Sequence, residues 1–352
     1  MKKITILFVS FVIILSCMNQ ENNNVNENNE STFKFSTWIT ANVDKSDEDY
    51  KKEFRSYLGA GIDEILINTL TDPKLLERLT ILAKNDGLKV HAWIMAMNRP
   101  DDTIALKNPE WYAVSKEGKS CFDTRPYVDY YQWLCPNREE SRNHILGLVE
   151  GLSKVEGIES VHLDYIRYSD VYLPIGLLPK YNLVQETELP EYDFCYCDVC
   201  VSKFEDIHNK NPLDSKNTSI DMEWKNFRLN SIRNIVNDAY AIVSQNKKKL
   251  TAAVFPYPEM ADHMVRQRWD KWTIDEVYPM IYHGFYNEEL NWIGYATKQG
   301  VDDVQDNMII NTGLYLPDFN SADELKQAII LAKENGAQGV AFYEGPGLTE
   351  DF

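Results

Sequence analysis

Basic charge is what this chain has too little of. Its 36 lysines and arginines face 54 aspartates and glutamates, for a formal charge of −18 over 352 residues. Such a surface argues against nucleic acid or an anionic membrane as a partner. Glycine-rich phosphate loops are missing too. Neither GxGxxG nor GxxxxGK[ST] occurs, so neither a dinucleotide crevice nor a P-loop is expected. No HExxH zinc-protease motif is present, and none of the six cysteines falls in a predicted strand. The apolar run from Ile4 to Leu15 is too short to span a bilayer as a permanent helix.

What the chain does have is apolar and aromatic content. Hydrophobic residues make up 44%, enough for a full core, with 20 Tyr, 14 Phe and 8 Trp. Aromatics mostly fill cores, but aromatics together with acids are also what a carbohydrate site uses. Rings stack on the flat apolar faces of sugars, and carboxylates bind hydroxyls. The start of the chain reads as an export signal: Lys2 and Lys3, the apolar run, then "ILSC". A small residue before Cys17 looks like a bacterial lipobox, which would make Cys17 the lipidated first residue of the mature chain. "MNQENNNVNENNEST" follows, Asn-rich and without aromatics. It reads as a flexible tether over 18–32, with the folded domain occupying 33–352. These features predict a protein held to the bacterial cell envelope by lipid alone.

From Phe33 onward, short strand-like runs alternate with amphipathic helical runs. The strands read as "FKFSTWITAN", "IDEILINT", "KVHAWIMAMN", "IESVHLDYIRY", "LTAAVFPYP", "EVYPMIYHGF", "NMIINTGLYLP" and "GVAFYEG". Eight strand–helix units over about 320 residues is the count of a (β/α)8 TIM barrel. Strict alternation excludes a sandwich or a helical bundle, and the missing phosphate turn weighs against a doubly wound sheet. Long connections after strands three and four are expected to be loops on the catalytic face.

In such barrels chemistry sits at the C-terminal ends of the strands. Read in order, those ends supply Asn42, Asn68, His91, Trp93, Asn98, Asp164, Arg167, Tyr168, Glu259, Tyr282, His283, Tyr315, Asp318 and Glu344. Asp164 in "VHLDYIRYSD" is the leading candidate, because an acid ending a buried strand is costly unless paired or used. Arg167 three positions on is expected to keep it ionised, as a nucleophile or a stabilising base. Glycoside hydrolysis needs a second carboxyl. Glu259 in "FPYPEM" is the first choice, with Glu344 in "FYEGPG" and Asp318 as alternatives. For Glu259 the plain reading is an acid favoured at a helix N-terminus. Trp38, Trp93, Tyr165, Tyr168, Tyr282 and Tyr315 are candidate sugar platforms. His91 and His283 would bind hydroxyls or, with Asp164, a metal.

"FCYCDVC" places Cys195, Cys197 and Cys200 as C-x-C-x2-C in the loop after strand four. Three thiolates so close can wrap one tetrahedral zinc with a fourth from Cys121 or Cys135; disulfides are the alternative in an exported protein. Cys121 is taken as the fourth ligand. A full thiolate set leaves no open position, so the zinc would be structural.

"VHLDYIRY", "WLCPNREESR" and "VYPMIYHGFYNE" resemble the glycosyl-hydrolase-like family 10 group of bacterial glycosidases, over about residues 33–352. The resemblance implies a (β/α)8 barrel, a carbohydrate-active role, and Asp164 at the strand-four acid position. The cysteine run is similar to the zinc site of glycoside hydrolase family 42, which adds one earlier cysteine. Strand four ends here in Asp rather than Glu, and "NTGLYLP" offers no glutamate, so the mechanism of that family does not carry over. An Asp on strand four with a Glu after strand five is similar to the layout of α-amylase-like barrels, whose surrounding motifs are missing. The chain is therefore read as a lipid-anchored glycoside hydrolase with a structural zinc and no organic cofactor. Its alternatives are a glycan-binding lipoprotein on a degenerate barrel, and a metal-dependent deacetylase or amidase.

Overall fold

The computed structural model describes residues 33–215, 217–304 and 308–344. Eight parallel strands close on themselves: β1 (Lys34–Thr40), β2 (Glu64–Asn68), β3 (Lys89–Met95), β4 (Ser160–Asp164), β5 (Lys249–Val254), β6 (Glu276–Pro279), β7 (Ile309–Tyr315) and β8 (Gly339–Tyr343). Each pairs with the next, and β8 returns to β1 with Lys34 opposite Gly339. All eight predicted strands are present, and the fold is a (β/α)8 barrel.

The connecting helices are α1 (Asp47–Gly59), α2 (Pro73–Asp86), α3 (Glu139–Ser153), α4 (Asp198–His208), α5 (Met222–Gln245), α6 (Pro258–Val265), α7 (Trp292–Asp303) and α8 (Ala322–Glu334). Their ends follow local chemistry. Ser46 caps α1 by accepting from the Asp49 amide, and three acids occupy its first turn. Asp72 caps α2 ahead of Pro73, and Gly87 ends it at φ 105°, a left-handed conformation that glycine adopts at little cost. Leu75, Leu76, Leu79, Leu82 and Ala83 turn one face of α2 into the core.

Outward-facing strand residues pack under these helices, while inward ones fill the barrel in layers. The middle layer is aromatic and aliphatic: Trp38, Leu66, Trp93, Ala253, Tyr278 and Ala341. The layer toward the strand N-termini is polar. Glu64 and Glu276 are there, with 2% and 0% of their surface exposed. Lys249 reaches Glu276 at 2.7 Å, and Asn311 donates to it at 3.1 Å. His91 lies between Ser160 (2.7 Å) and Glu64 (3.2 Å). Buried charges are tolerated because each is paired and hydrogen-bonded.

The connections after β3 and β4 are long, covering 96–138 and 165–221, and they are tied together. Ser115 bridges Phe194, the Lys116 amide donates to the Asp193 carbonyl at 2.9 Å, and the Tyr196 amide to Val114 at 2.7 Å. Arg228 of α5, fully buried, pairs with Asp193 and also donates to the Phe194 carbonyl at 3.2 Å.

The polar layer should show in acid. Burial pushes the Glu64 carboxyl up, but the hydrogen bond and charge of His91 together with Lys34 and Lys89 outweigh it and bring the pKa down to about 2. That stabilisation is present above the ordinary carboxylate range and is lost as pH falls toward 2. Glu64→Gln should cost about 1–3 kcal/mol at neutral pH. Urea midpoints from pH 6 down to 2 should show wild type and variant converging as the acid limb is crossed.

Candidate active site and thiol centre

Asp164 ends β4 opposite Met95 of β3, on the inward side and at the mouth of the barrel. Two N–H groups hold its carboxylate. The Tyr165 amide donates to Oδ1 at 2.6 Å, and the Trp93 indole donates to Oδ2 at 3.1 Å. The first contact needs the chain to turn sharply after the strand, and Tyr165 has φ 50°. Such a backbone is uncommon for a bulky residue and tends to persist where the surroundings enforce it. Here Tyr165 packs edge-on to Trp133 and Tyr131, at 5.6 and 6.2 Å.

Arg167 was expected to keep Asp164 ionised. Its guanidinium instead donates to Asp170 at 3.1 Å and to the Tyr168 carbonyl at 2.9 Å. It lies over the rings of Trp133, Tyr165 and Phe255 at 4.9, 5.3 and 4.9 Å. Its charge still acts on Asp164, but burial is the larger effect and raises the carboxyl above its ordinary value. Asp164 therefore favours its proton more than the sequence suggests.

The second wall of the mouth is a set of tyrosines. Tyr282 stacks on Tyr343 at 5.9 Å and Tyr315 on Tyr343 at 5.8 Å. Tyr282 also meets Phe285 at 5.5 Å. Burial raises the Tyr343 hydroxyl to about 12, with Glu344 and then Asp164 adding to it. The Tyr343 hydroxyl thus feels the charge of both carboxylates. Glu344 itself is exposed and has φ 68°.

The other expected residues divide clearly. Glu259 is exposed in the first turn of α6. Its charge acts on Asp303 of α7, whose pKa rises to about 6 through burial and then Glu259. It stands second in that helix, and the plain reading as a helix N-terminal acid describes it. Asp318 accepts from the Gly284 amide at 3.0 Å, with His283 Nδ1 at 3.8 Å. His91 lies not at the mouth but in the polar layer near the strand N-termini, because it is the third residue of β3. Neither histidine contacts Asp164, so the metal set imagined from His91 or His283 with Asp164 is not assembled. Trp38 is buried at mid-barrel, donating to His162 Nε2 at 3.1 Å. Tyr168 is buried away from the mouth, where burial and then Cys200, Cys195 and Cys135 raise its hydroxyl. Sequence reasoning missed Tyr343, Tyr131 and Trp133. For Tyr343 the signal was available, since it precedes Glu344 at a strand end and alternates inward with Ala341.

Cys135, Cys195, Cys197 and Cys200 are all buried, with their sulfurs within 4.8 Å of one another. The fourth thiol is Cys135 rather than Cys121. Cys121 is buried elsewhere, among groups that include the Trp133 backbone, and burial raises its thiol to about 12. Both lie in the loop after β3, so spacing alone did not separate them. Cys135 Sγ is 3.4 Å from Cys197 Sγ and 3.5 Å from Cys200 Sγ, well beyond a disulfide bond of about 2.05 Å. The Val114 amide and Asn137 Nδ2 point at sulfur, on Cys195 at 3.4 Å and Cys200 at 3.3 Å. N–H donors aimed at sulfur favour thiolates. Such a set could bind a metal, and it joins the two long loops. Cys17 and the leader lie outside the described residues.

No protein-family model matches the chain, and no curated protein sequence does. Solved structures do. The glycoside hydrolase domain of PgaB (BpsB) from Bordetella bronchiseptica superposes with a TM-score of 0.60 at 12% identity, over 90% of this chain and 97% of that one. The catalytic domain of β-amylase from Paenibacillus polymyxa gives 0.59 at 10% identity, over 88% and 92%. Alpha-L-fucosidase isoenzyme 2 from Paenibacillus thiaminolyticus gives 0.54 at 13% identity, over 90% of this chain and 47% of that one. At these identities the likeness is one of fold. The shared fold is the closed eight-stranded barrel.

A raised carboxyl pKa is also a statement about stability. Because the fold disfavours ionised Asp164, its contribution falls as pH rises from the ordinary carboxylate range through the raised value. Asp164→Asn has no such loss. Melting temperatures from pH 4 to 8 should show the gap moving in favour of the variant as pH rises, by about a few degrees.

Proposed function

We propose that this protein is a glycoside hydrolase acting on oligo- or polysaccharide, with Asp164 as its central catalytic carboxyl. The observation that carries the reading is the enclosure of Asp164 at the barrel mouth by two N–H donors and a tyrosine wall. A carboxyl whose proton affinity is raised by burial suits the general acid that protonates a leaving glycosidic oxygen. Glu344, exposed at the end of β8 with its charge acting on the same Tyr343 hydroxyl as Asp164, is the better partner of the sequence candidates. It would attack the anomeric carbon or activate water. Glu259 has no comparable link to Asp164. Tyr282, Tyr315 and Tyr343 offer ring faces and hydroxyls to a sugar. The similarity of fold to three carbohydrate-active enzymes supports this reading, as does the resemblance of "VHLDYIRY" and its companions to the glycosyl-hydrolase-like family 10 group.

The four-thiol centre is proposed as a structural zinc site. Four sulfurs in mutual contact match a tetrahedral shell with Zn–S of about 2.3 Å. A complete shell leaves no open position for substrate, and the ion would instead fix the loops that flank the mouth. The leader and tether are proposed as a lipid anchor on Cys17, holding the barrel at the cell envelope.

Reducing-sugar release by the full chain from a panel of polysaccharides tests the reaction. Asp164→Asn should lower kcat about 10²–10⁴-fold, the usual share of a general acid, and Glu344→Gln should also lose activity. Glu259→Gln should not. Equal release by wild type and Asp164→Asn would remove Asp164 from the chemistry. For the metal, elemental analysis should find one zinc per chain in wild type and Cys121→Ser, and none in Cys135→Ser.

A further inference from the structure

Trp93 looks from the sequence like a sugar platform. In the barrel it is only 6% exposed, packed with Trp38, Leu66 and Tyr278 in the apolar layer beneath the mouth. Little of the ring faces a ligand. What it sends toward the site is its indole N–H, 3.1 Å from Asp164 Oδ2. Among the described residues, no other tryptophan N–H meets a carboxylate: Trp38 donates to His162 and Trp269 to the Phe255 carbonyl.

We infer that Trp93 is a positioning residue which, with the Tyr165 amide, clamps the Asp164 carboxylate in one orientation at the barrel mouth. This rests on the catalytic reading of Asp164. The two donors occupy different oxygens, Oδ1 and Oδ2, so the carboxyl plane cannot rotate without breaking one bond. Trp93 itself is locked by its packing, and Tyr165 by its backbone. The other groups bearing on Asp164 are Arg167 and the Tyr165 hydroxyl on the same loop, Tyr282 after β6 and Tyr343 at the end of β8. Arg167 is bound to Asp170. The tyrosines are neutral at working pH, their hydroxyls raised by burial. A donor to an ionised carboxylate stabilises that form. The indole therefore works against burial, in the same direction as the Tyr165 amide and Arg167, and leaves the Asp164 proton less tightly held than enclosure alone would. An acid that must donate its proton and recover it in each cycle needs that balance.

Two measurements test this. Trp93→Phe keeps a ring and removes the N–H. With a substrate found by the panel, the limb of kcat/KM assigned to Asp164 should move up by about one pH unit, with KM within about twofold of wild type. A KM rise of tenfold or more with an unmoved limb would instead make Trp93 a sugar platform and overturn the inference. The second measurement needs neither activity nor a Trp93 variant. In the full chain with 15N-labelled tryptophan, one of the eight indole N–H resonances should follow a titration with its midpoint above the ordinary carboxylate range. That titration should be absent from Asp164→Asn. If no indole resonance follows it, the clamp does not exist. If the resonance titrates while Asp164→Asn remains active, the clamp stands and the catalytic reading fails.

Discussion

Closing eight parallel strands leaves every second side chain pointing into a space without bulk water, and that constraint shapes the rest of this molecule. Along the strands the interior changes character in layers. Toward the N-termini it accepts charge, because Glu64 and Glu276 each meet lysines and a hydrogen-bonding side chain, His91 for one and Asn311 for the other. At mid-barrel it is aromatic, with the Trp38 N–H satisfied by His162. At the C-terminal rim it holds a half-buried acid, Asp164, whose two oxygens are both occupied by donors. Enclosure makes an ion costly, and the donors offset part of that cost. The acid is left with a raised affinity for its proton.

The long loops extend the same logic outside the barrel. A loop of this length carries many backbone groups that must be satisfied and has little core of its own. Here the two excursions share a short ladder and the four-thiol centre, and Arg228 of α5 anchors the second through its buried pair with Asp193. Tyr168 borders the thiols, and its carbonyl accepts from Arg167. Arg167 lies over Tyr165, whose amide holds Asp164. The thiol centre and the acid are thus linked through four consecutive residues, 165 to 168. Fixing the loops also fixes the mouth.

Much of this was legible in the sequence. Strand–helix alternation, capping residues and turn glycines are local signals, and all eight strands follow from them. Asp164 was legible for a similar reason: a lone acid among apolar residues at a strand end has few roles. The C-x-C-x2-C run also announced itself, since three of the four thiols are neighbours in sequence. What the chain alone determined was therefore the set of things encoded within a few residues, namely the period of each element, its ends, and the presence of an acid and a thiol cluster. Tertiary structure decided everything that depends on register and distance. It put His91 at the closed end of the barrel, because its place in β3 is fixed by pairing with Ser160 and Leu66. It chose Cys135 over Cys121, turned Trp93 from a platform into a donor, and gave Arg167 to Asp170. It left Glu259 beside Asp303 while Glu344 came to act with Asp164 on the Tyr343 hydroxyl. Proton affinity and partnership depend on burial and on separations of a few ångströms between residues far apart in the chain, and those separations exist only once the barrel has closed.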